Sequence, residues 1–492
     1  MGSIIDKKDL CVRKNRPLKV LQYGEGNFLR AFVDYGLDVA NEKGKFDGNI
    51  AIVTPTAPNP RNRQNLQKFK DQDYFYTVCI RGKKNGKPYE ENRVVTSVEK
   101  VVSAYDDFEE YMEFAKVPEL EYVVSNTTEA GIVFVDTDKF DDKPAEHFPA
   151  KLTQFLYKRY EHFKGEGKGL TMLPVELIDH NGEALLDCVK RYIDLWKLPA
   201  DFKTWVEKDC SFVSTLVDRI VPGFPKGKEE QYAKELGYED KLLDEAEPFG
   251  LWVIGDEKLH STFDIGGDWL TVEYTSKIEV YKERKVRILN GAHTSMVLGA
   301  YLAGFNFVGE CMEDEDVRRQ LDQSVFGEIV PTVHLPREQA EGFARAVFER
   351  FENPFVKHAL LSISLNSIAK WRARVLPSLK DSFAATKKLP KWLTYSLAAL
   401  LAFYRTSEKG DSCLIGHRGN ETYKIQDDAE KMDFIAANAG KSDADYVNAV
   451  LSQVEWWGED LTKFDGFEAE VLNHLKGIEE KGAKAYIKAL GA

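Results

Sequence analysis

Apolar positions follow two different rhythms along this 492-residue chain. In the first half, short unbroken runs alternate with helical spacing. LKVLQYG at 18–24 ends in glycine, and NIAIVTP at 49–55 is stopped by proline. VVTSVEKVVS at 94–103, YVVSN at 122–126 and LTMLPVEL at 170–177 read as further strands. Between them, Phe28, Leu29, Phe32, Val33 and Leu37 recur near helical spacing from about Asn27, and DDFEEYMEFA at 106–115 reads as another helix. Strands alternating with helices predict an α/β fold with a mainly parallel sheet.

From about residue 284 the rhythm changes. VRRQLDQSVFGEIV, REQAEGFARAVFERF, WLTYSLAALLAFY and AEVLNHLKGIEEKGAKAYIKAL all carry helical patterns, and strand patterns almost vanish. The expected organisation is a Rossmann-type domain over 1–283 and a mainly α-helical domain over 284–492. Two domains also suit the length, which exceeds one ordinary core. No Pro/Ser-rich linker, internal repeat or low-complexity tract interrupts the chain.

Composition narrows the function. The chain is 43% hydrophobic and 30% charged, with a net charge of −13. That balance suits a globular protein and argues against nucleic acid, which needs a basic face. An anionic substrate is still possible, because a cationic pocket can form locally in an acidic protein. Cys11, Cys79, Cys188, Cys210, Cys311 and Cys413 are widely spaced. They give neither a clustered zinc motif nor a disulfide framework, and a reduced cytoplasmic setting is expected. The first residues lack an apolar signal segment, and no apolar run reaches the roughly 18–20 residues that span a bilayer, so no membrane partner is expected.

Candidate chemistry starts at the first strand. Gly24-Glu25-Gly26-Asn27-Phe28-Leu29-Arg30 follows it and opens a helix. Glycine there lets the backbone approach a pyrophosphate, and helix N-terminal N–H groups face the anion. Leu29 stands where the usual third glycine would be, so the motif also reads as a tight strand–helix turn. KGEGKG at 164–169 contains the same spacing but leads into a strand, and reads as a surface turn. The second strand ends in Thr54-Pro55-Thr56 instead of the acid that commonly binds a ribose, with Arg61 and Arg63 beyond. That rule therefore leaves NAD and NADP both open.

The second candidate is RKVRILNGAHT at 284–294, which spaces Lys285, Asn290 and His293 by five and three. A lysine acting as a base near neutrality needs its pKa lowered from about 10.4, by burial or by cationic neighbours. Arg284 and Arg287 are the neighbours on offer. An amide can hold a developing oxyanion and an imidazole can hold an adjacent hydroxyl. The same stretch also reads as an exposed basic helix start followed by a helix break and a structural histidine.

Other polar positions could join these. LPVELIDHNG at 173–182 carries Glu176, Asp179, His180 and Asn181 off the carboxyl end of a strand, where α/β sheets bind ligands. STLVDRIVPG at 214–223 sets Asp218 beside Arg219 in an apolar run, which suits a site or a structural ion pair. LNSIAKWRARVLPSL at 365–379 offers Lys370, Arg372 and Arg374; the fork of Arg372 or Arg374 suits a carboxylate, and the three also read as a solvated basic face. Tyr160…Lys164 and Tyr281…Lys285 match a Tyr-x-x-x-Lys spacing, but neither has a serine about a dozen residues upstream. No GxxxxGK[ST] loop suggests a phosphotransferase.

Taken together, the Gly24–Arg30 loop, the Val217–Ile220 segment VDRI and the Lys285/Asn290/His293 signature resemble the mannitol dehydrogenase family of polyol and sugar-acid dehydrogenases. SNTTEAGI, KFDDKPAEHFPAKLT, LPVELIDHNG and YKIQDD extend the likeness over nearly the whole chain and point to its sugar-acid members. The resemblance implies NAD, no metal, a small sugar-acid substrate and a site in the cleft between a Rossmann and a helical domain. It implies that Lys285 is the general acid/base, Asn290 stabilises the oxyanion, and His293 positions substrate. It also implies that the cofactor meets Gly24, Glu25, Gly26, Asn27, Phe28, Leu29, Arg30, Thr54, Thr127, Thr128 and Glu129. The candidate substrate contacts, from strand-end position and charge matching, are Glu176, His180, Arg372 and Arg374, with Asp218 a further candidate near the chemistry. Polyol-using relatives have a second asparagine where Leu177 stands here, so either Asn181 replaces it in the oxyanion hole or the hole is built differently. Fructuronate, mannitol and polyol phosphates remain alternative substrates, and a nucleotide-binding protein without turnover is the alternative outside this class.

Overall fold

The structure, a computed structural model, describes residues 2–492. The chain divides into two compact units, Met1–Ile278 and Glu279–Ala492. The boundary falls a few residues before the position expected from the hydrophobic pattern.

The first unit is built on six parallel strands. Their spatial order is Val98–Ser103, Asn49–Thr54, Leu18–Tyr23, Tyr122–Ser125, Thr171–Pro174 and Ser211–Phe212. Parallel sheets are covered on both faces, so their strands read as nearly continuous apolar runs. The strand Asn49–Thr54 is buried at every position. Alternate residues serve two separate cores. Val20, Ile50, Ile52 and Val124 join Phe32, Phe69 and Trp252 on one face. Leu21, Ala51, Val53 and Val123 join Phe155, Leu156 and Val189 on the other. Each fully buried aliphatic side chain here contributes about 1.5–3 kcal/mol of transfer free energy.

Two small sheets flank this core. Tyr76–Lys84 and Lys87–Val95 form a hairpin, with Asp244–Ala246 added in parallel to the first of them. Asn85 and Gly86 turn it with positive φ, as a two-residue hairpin loop requires. Thr215–Asp218 pairs antiparallel with Leu251–Ile254, which pairs parallel with Thr271–Tyr274. The expected single strand at 94–103 is therefore two strands. Asp38 Oδ1 accepts the backbone N–H groups of Thr96 (2.7 Å) and Ser97 (3.0 Å), which breaks the run there. The expected strand at 170–177 pairs only over Thr171–Pro174.

The second unit is mainly helical. Its helix Lys391–Tyr404 is buried almost throughout, which explains why LAALLAF is apolar on all sides. The final expected helix is two, Phe467–Lys481 and Ala483–Gly491, separated by Gly482 with φ +78°. The expectation of almost no strand overlooked a three-stranded antiparallel sheet of Lys409–Gly410, Cys413–Arg418 and Glu421–Ile425. Gly419, with φ +59°, makes its second turn. Among the described residues, π-helical stretches interrupt α-helices at Arg30–Asp34 and Lys285–Asn290, and another, Gln323–Ile329, extends the helix Glu315–Asp322 into a 3-10 turn. Such turns are rare and frequently mark functional positions. Among the described residues, no helix is long and apolar enough to cross a membrane.

Candidate functional site

The strand order places a topological switch beside Leu18–Tyr23, where the chain turns from adding strands on one side to adding them on the other. Ligands of open α/β sheets bind outside the carboxyl ends of the strands at such a point. Gly24–Asn27 leaves the first of these strands and Asn126–Thr128 leaves its neighbour. The two loops touch: Asn126 N–H donates to Tyr23 O at 3.1 Å. Gly24 has φ +114°, and a Cβ there would stand 3.1 Å from Asn126 O. At Gly26, which caps the following helix, an added Cβ would meet nothing within 4 Å. An open backbone at a helix start is the geometry a phosphate needs.

The residues around this turn divide by direction. Gly26 and Asn27 are exposed, and Glu25 and Phe28 are half-buried, with Phe28 stacked on Phe32 at 4.9 Å. Burial raises the Glu25 carboxyl above its ordinary range. Leu29 and Arg30 point into the protein. The Arg30 guanidinium donates to Leu242 O and to Asn27 Oδ1, and lies 3.6 Å from Asp244. Arg30 thus holds the turn from behind, and its side chain does not face a ligand. Gln22, which no motif singles out, joins it there: its Nε2 donates to Gly24 O (3.1 Å) and Asp34 Oδ2 (3.4 Å). Thr54 closes its strand and is buried. Beyond it, Arg63 pairs with Asp106 at 3.1 Å.

Glu176 is only 2% exposed and faces inward, away from any substrate role through direct contact. Its Oε1 accepts Thr127 N–H and Thr127 Oγ1, both at 2.9 Å, and its Oε2 accepts Ser125 Oγ at 3.0 Å. Burial outweighs these bonds and raises its carboxyl above the usual range. Beyond the clamp, Thr128 and Glu129 are exposed, and Thr128 has φ +76°, a left-handed conformation that is strained for a β-branched residue.

Asn181 also turns inward and is fully buried. Its Nδ2 faces the carbonyls of Pro174 (3.0 Å), Glu176 (3.0 Å) and Thr215 (3.1 Å), and its Oδ1 accepts Thr215 N–H at 2.9 Å. No donor is left for an oxyanion, so the expectation that Asn181 completes an oxyanion hole is corrected to a tie between two strand ends. His180 is exposed with φ +52°, 3.5 Å from Glu183. Leu177 is 61% exposed beside it. Asp218 is buried at its strand end, opposite Leu251. The neighbouring Arg219 is structural: it donates to Glu247 O and Ala31 O and lies over the Tyr35 ring.

In the second unit, Lys285 and Asn290 are the first and last residues of a π-helical turn, and His293 follows in the α-helix Gly291–Leu302. In an α-helix, residues five apart stand about 140° around the axis from each other. The i→i+5 bonding of a π turn brings the sixth residue back above the first. Asn290 and His293, three apart, are α-helical neighbours. All three are half-buried, whereas Ile288, Leu289, Ala292 and Thr294 are buried. The π turn therefore gathers the lysine, the amide and the imidazole on one face. The two cations expected to act on Lys285 are engaged elsewhere. Arg287 pairs with Asp381 and Glu283, and Arg284 lies over the rings of Tyr281 and Phe343.

His293 stacks on Phe351 with ring centres 4.1 Å apart, and His358 meets it edge-on at 5.2 Å. Its Nε2 is sealed from solvent without a hydrogen-bond partner. Burial, helped by His358, Arg350, Arg374 and Lys370, holds this imidazole well below its ordinary pKa, so it is neutral at neutral pH. Arg374 Nη1 lies 3.5 Å from Thr294 Oγ1. Arg372 is exposed and donates instead to Glu455 O at 3.2 Å, so the expected Arg372/Arg374 pair is split. Two residues apart on a helix are about 200° apart around it, a spacing that could have excluded the pair beforehand. Among the described residues, no three His, Cys, Asp or Glu side chains gather as a metal site.

Strand order and the open glycine turn put the first unit in the Rossmann class of dinucleotide-binding folds, followed in the chain by a mainly helical unit. The Mannitol dehydrogenase Rossmann domain matches residues 18–265, and the Mannitol dehydrogenase C-terminal domain matches 277–479. The chain belongs to the mannitol dehydrogenase family. It is 42% identical over 483 residues to an altronate oxidoreductase of Enterobacter sp. (strain 638), covering 96% of this chain and 97% of that one. It is 41% identical over 485 residues to an altronate oxidoreductase of Yersinia enterocolitica, covering 97% of each. In fold it is similar to a crystal structure of D-sorbitol dehydrogenase, with TM-score 0.78 and 20% identity over 99% of this chain and 100% of that one. It is also similar in fold to Pseudomonas fluorescens mannitol 2-dehydrogenase, solved as a ternary complex with NAD and D-mannitol. That match has TM-score 0.63 and 21% identity over 97% of this chain and 94% of that one.

Proposed function

We propose that this protein is an NAD-dependent oxidoreductase that interconverts D-tagaturonate and D-altronate. The observation that carries the reading is the π turn Lys285–Asn290 running into the helix of His293, a geometry that supports one shared face for Lys285, Asn290 and His293. Support for the sugar-acid substrate comes from relatives named altronate oxidoreductase that match over nearly the full length of both chains. Support for NAD comes from the family's Rossmann domain and from the fold neighbour solved with NAD. The open backbone at Gly26 and the positive φ at Gly24 fit a pyrophosphate. Gly24 to Asn27 would hold it, with Thr127, Thr128 and Glu129 along the neighbouring strand end.

When bound, the nicotinamide supplies or accepts the hydride. Lys285 gives its proton to the oxygen of the ketone as it becomes an alkoxide, and takes it back in the reverse direction. Asn290 donates a hydrogen bond to that oxygen through its side-chain amide. His293, held neutral, offers its unpartnered Nε2 to a neighbouring hydroxyl. Polarisation by protein groups depends on close positioning, which the helix supplies. A cytoplasmic setting fits six cysteines that are all free thiols.

The test is NADH and then NADPH oxidation with D-tagaturonate and D-fructuronate side by side. Turnover of D-tagaturonate with NADH is expected. Tight NADH binding without turnover of either acid would instead favour a binding protein.

A further inference from the structure

We infer that Lys370 and Arg374, with His358 beside them, form the seat of the substrate's carboxylate next to His293. This rests on the sugar-acid reading and deepens it. On the helix Ser367–Arg374, residues four apart share one face, so Lys370 and Arg374 act together while Arg372 points elsewhere. That helix approaches the start of Gly291–Leu302 closely: a Cβ on Gly291 would stand 3.2 Å from Arg374 O. The contact from Arg374 to Thr294 fixes the guanidinium one residue along from His293. Lys370 is tied to the same wall by its bond to Ile363 O at 2.9 Å. His358 closes the far side against the His293 ring edge.

The cluster lacks an acid of its own. Among the described residues, neither Lys370 nor Arg374 forms an ion pair. Asp427 acts on Lys370, but its carboxylate is held by Lys431 at 3.5 Å and Tyr404 at 2.9 Å. Asp427 offsets part of the charge on Lys370, and among the described residues no acid acts on Arg374, in a chain whose net charge is −13. Two half-buried cations without a direct ion pair repel each other at a cost, and an incoming carboxylate reduces that cost. A neutral polyol has nothing to offer these groups. The neutral His293 fits the same picture: repelled by its cationic neighbours, it binds a hydroxyl and leaves the anion to them.

The test separates binding from turnover. Lys370→Met and Arg374→Met should each raise KM for D-tagaturonate about 10- to 100-fold, the range of a lost charged hydrogen bond, with kcat within about threefold. Lys370→Arg should restore KM to within a few-fold. On the unmodified enzyme, KM should rise with salt while kcat stays flat. An unchanged KM in Lys370→Met, a Lys370→Arg variant as impaired as Lys370→Met, or a salt-independent KM would overturn the carboxylate seat alone. An unmodified enzyme inert toward both D-tagaturonate and D-fructuronate would overturn the functional reading beneath it.

Discussion

Glu176 offers the sharpest test of how the cofactor side is built. Three donors converge on its carboxylate, two from Thr127 and one from Ser125. Glu176→Ala would strand them, at about 1–3 kcal/mol for each one left buried, and add a cavity term. Glu176→Gln keeps an oxygen for Thr127 and places an amide where the Ser125 hydroxyl can rotate to accept. Burial already raises the carboxyl pKa, so the charge is not a net stabiliser, and the Gln variant should stay within about 1 kcal/mol of the parent. The functional consequence follows from Thr128. Its left-handed backbone stores about 1–3 kcal/mol and persists because Thr127 is clamped. Freed of the clamp, the loop relaxes away from the shape a dinucleotide would meet. NADH affinity in Glu176→Ala should then weaken about 5- to 150-fold, the same energy expressed as a ratio. Fluorescence titration of NADH, with Tm measured on the same samples, gives both numbers. A Glu176→Ala protein that melts early yet binds NADH like the parent would show that this carboxylate does not shape the cofactor loop.

Other consequences are equally direct. Asn181→Asp should destabilise strongly, by about 3–5 kcal/mol, because a carboxylate would face three carbonyls in a fully buried position; a Tm within a few degrees of the parent would contradict the tie assigned to it. Burial pushes the carboxyls of Asp34 and Asp244 up to about 7. Their folded pKa values exceed the unfolded value near 3.9, so the folded state holds extra protons between about pH 4 and 7. Stability should therefore fall as pH rises through that window and level off above it, by up to about 4 kcal/mol for one such group. Asp244→Asn should flatten this slope in Tm against pH, and an unchanged slope would count against it.

The parts of the fold legible in the sequence are those set by local pattern. Leu18–Tyr23 and Asn49–Thr54 are doubly covered strands and read as apolar runs, and the glycine turn between strand and helix is equally local. Tyr76–Lys84 escaped notice because its buried start runs on into RGKK at a solvent-facing hairpin. The break at Thr96-Ser97 depends on Asp38, 58 residues away in sequence for Thr96, and no local signal carries it. At the site, residue types were legible and directions were not. Arg30, Glu176 and Asn181 sit beside the glycine turn and the strand ends as ligand residues would, yet all three turn inward to hold backbone. The spacing of Lys285 and Asn290 brings them together only because the intervening turn is π-helical, which depends on packing. His358 and Arg350 gave no motif; only folding carries them to His293.

In the proposed reaction, Lys285 moves the proton. Single-turnover oxidation of pre-bound NADH by D-tagaturonate, in the parent and in Lys285→Met, measures this directly. Lys285→Met should lose at least about 100-fold in the chemical step, the contribution of a positioned acid, with NADH affinity unchanged. A Lys285→Met enzyme that turns over within a few-fold of the parent would contradict it.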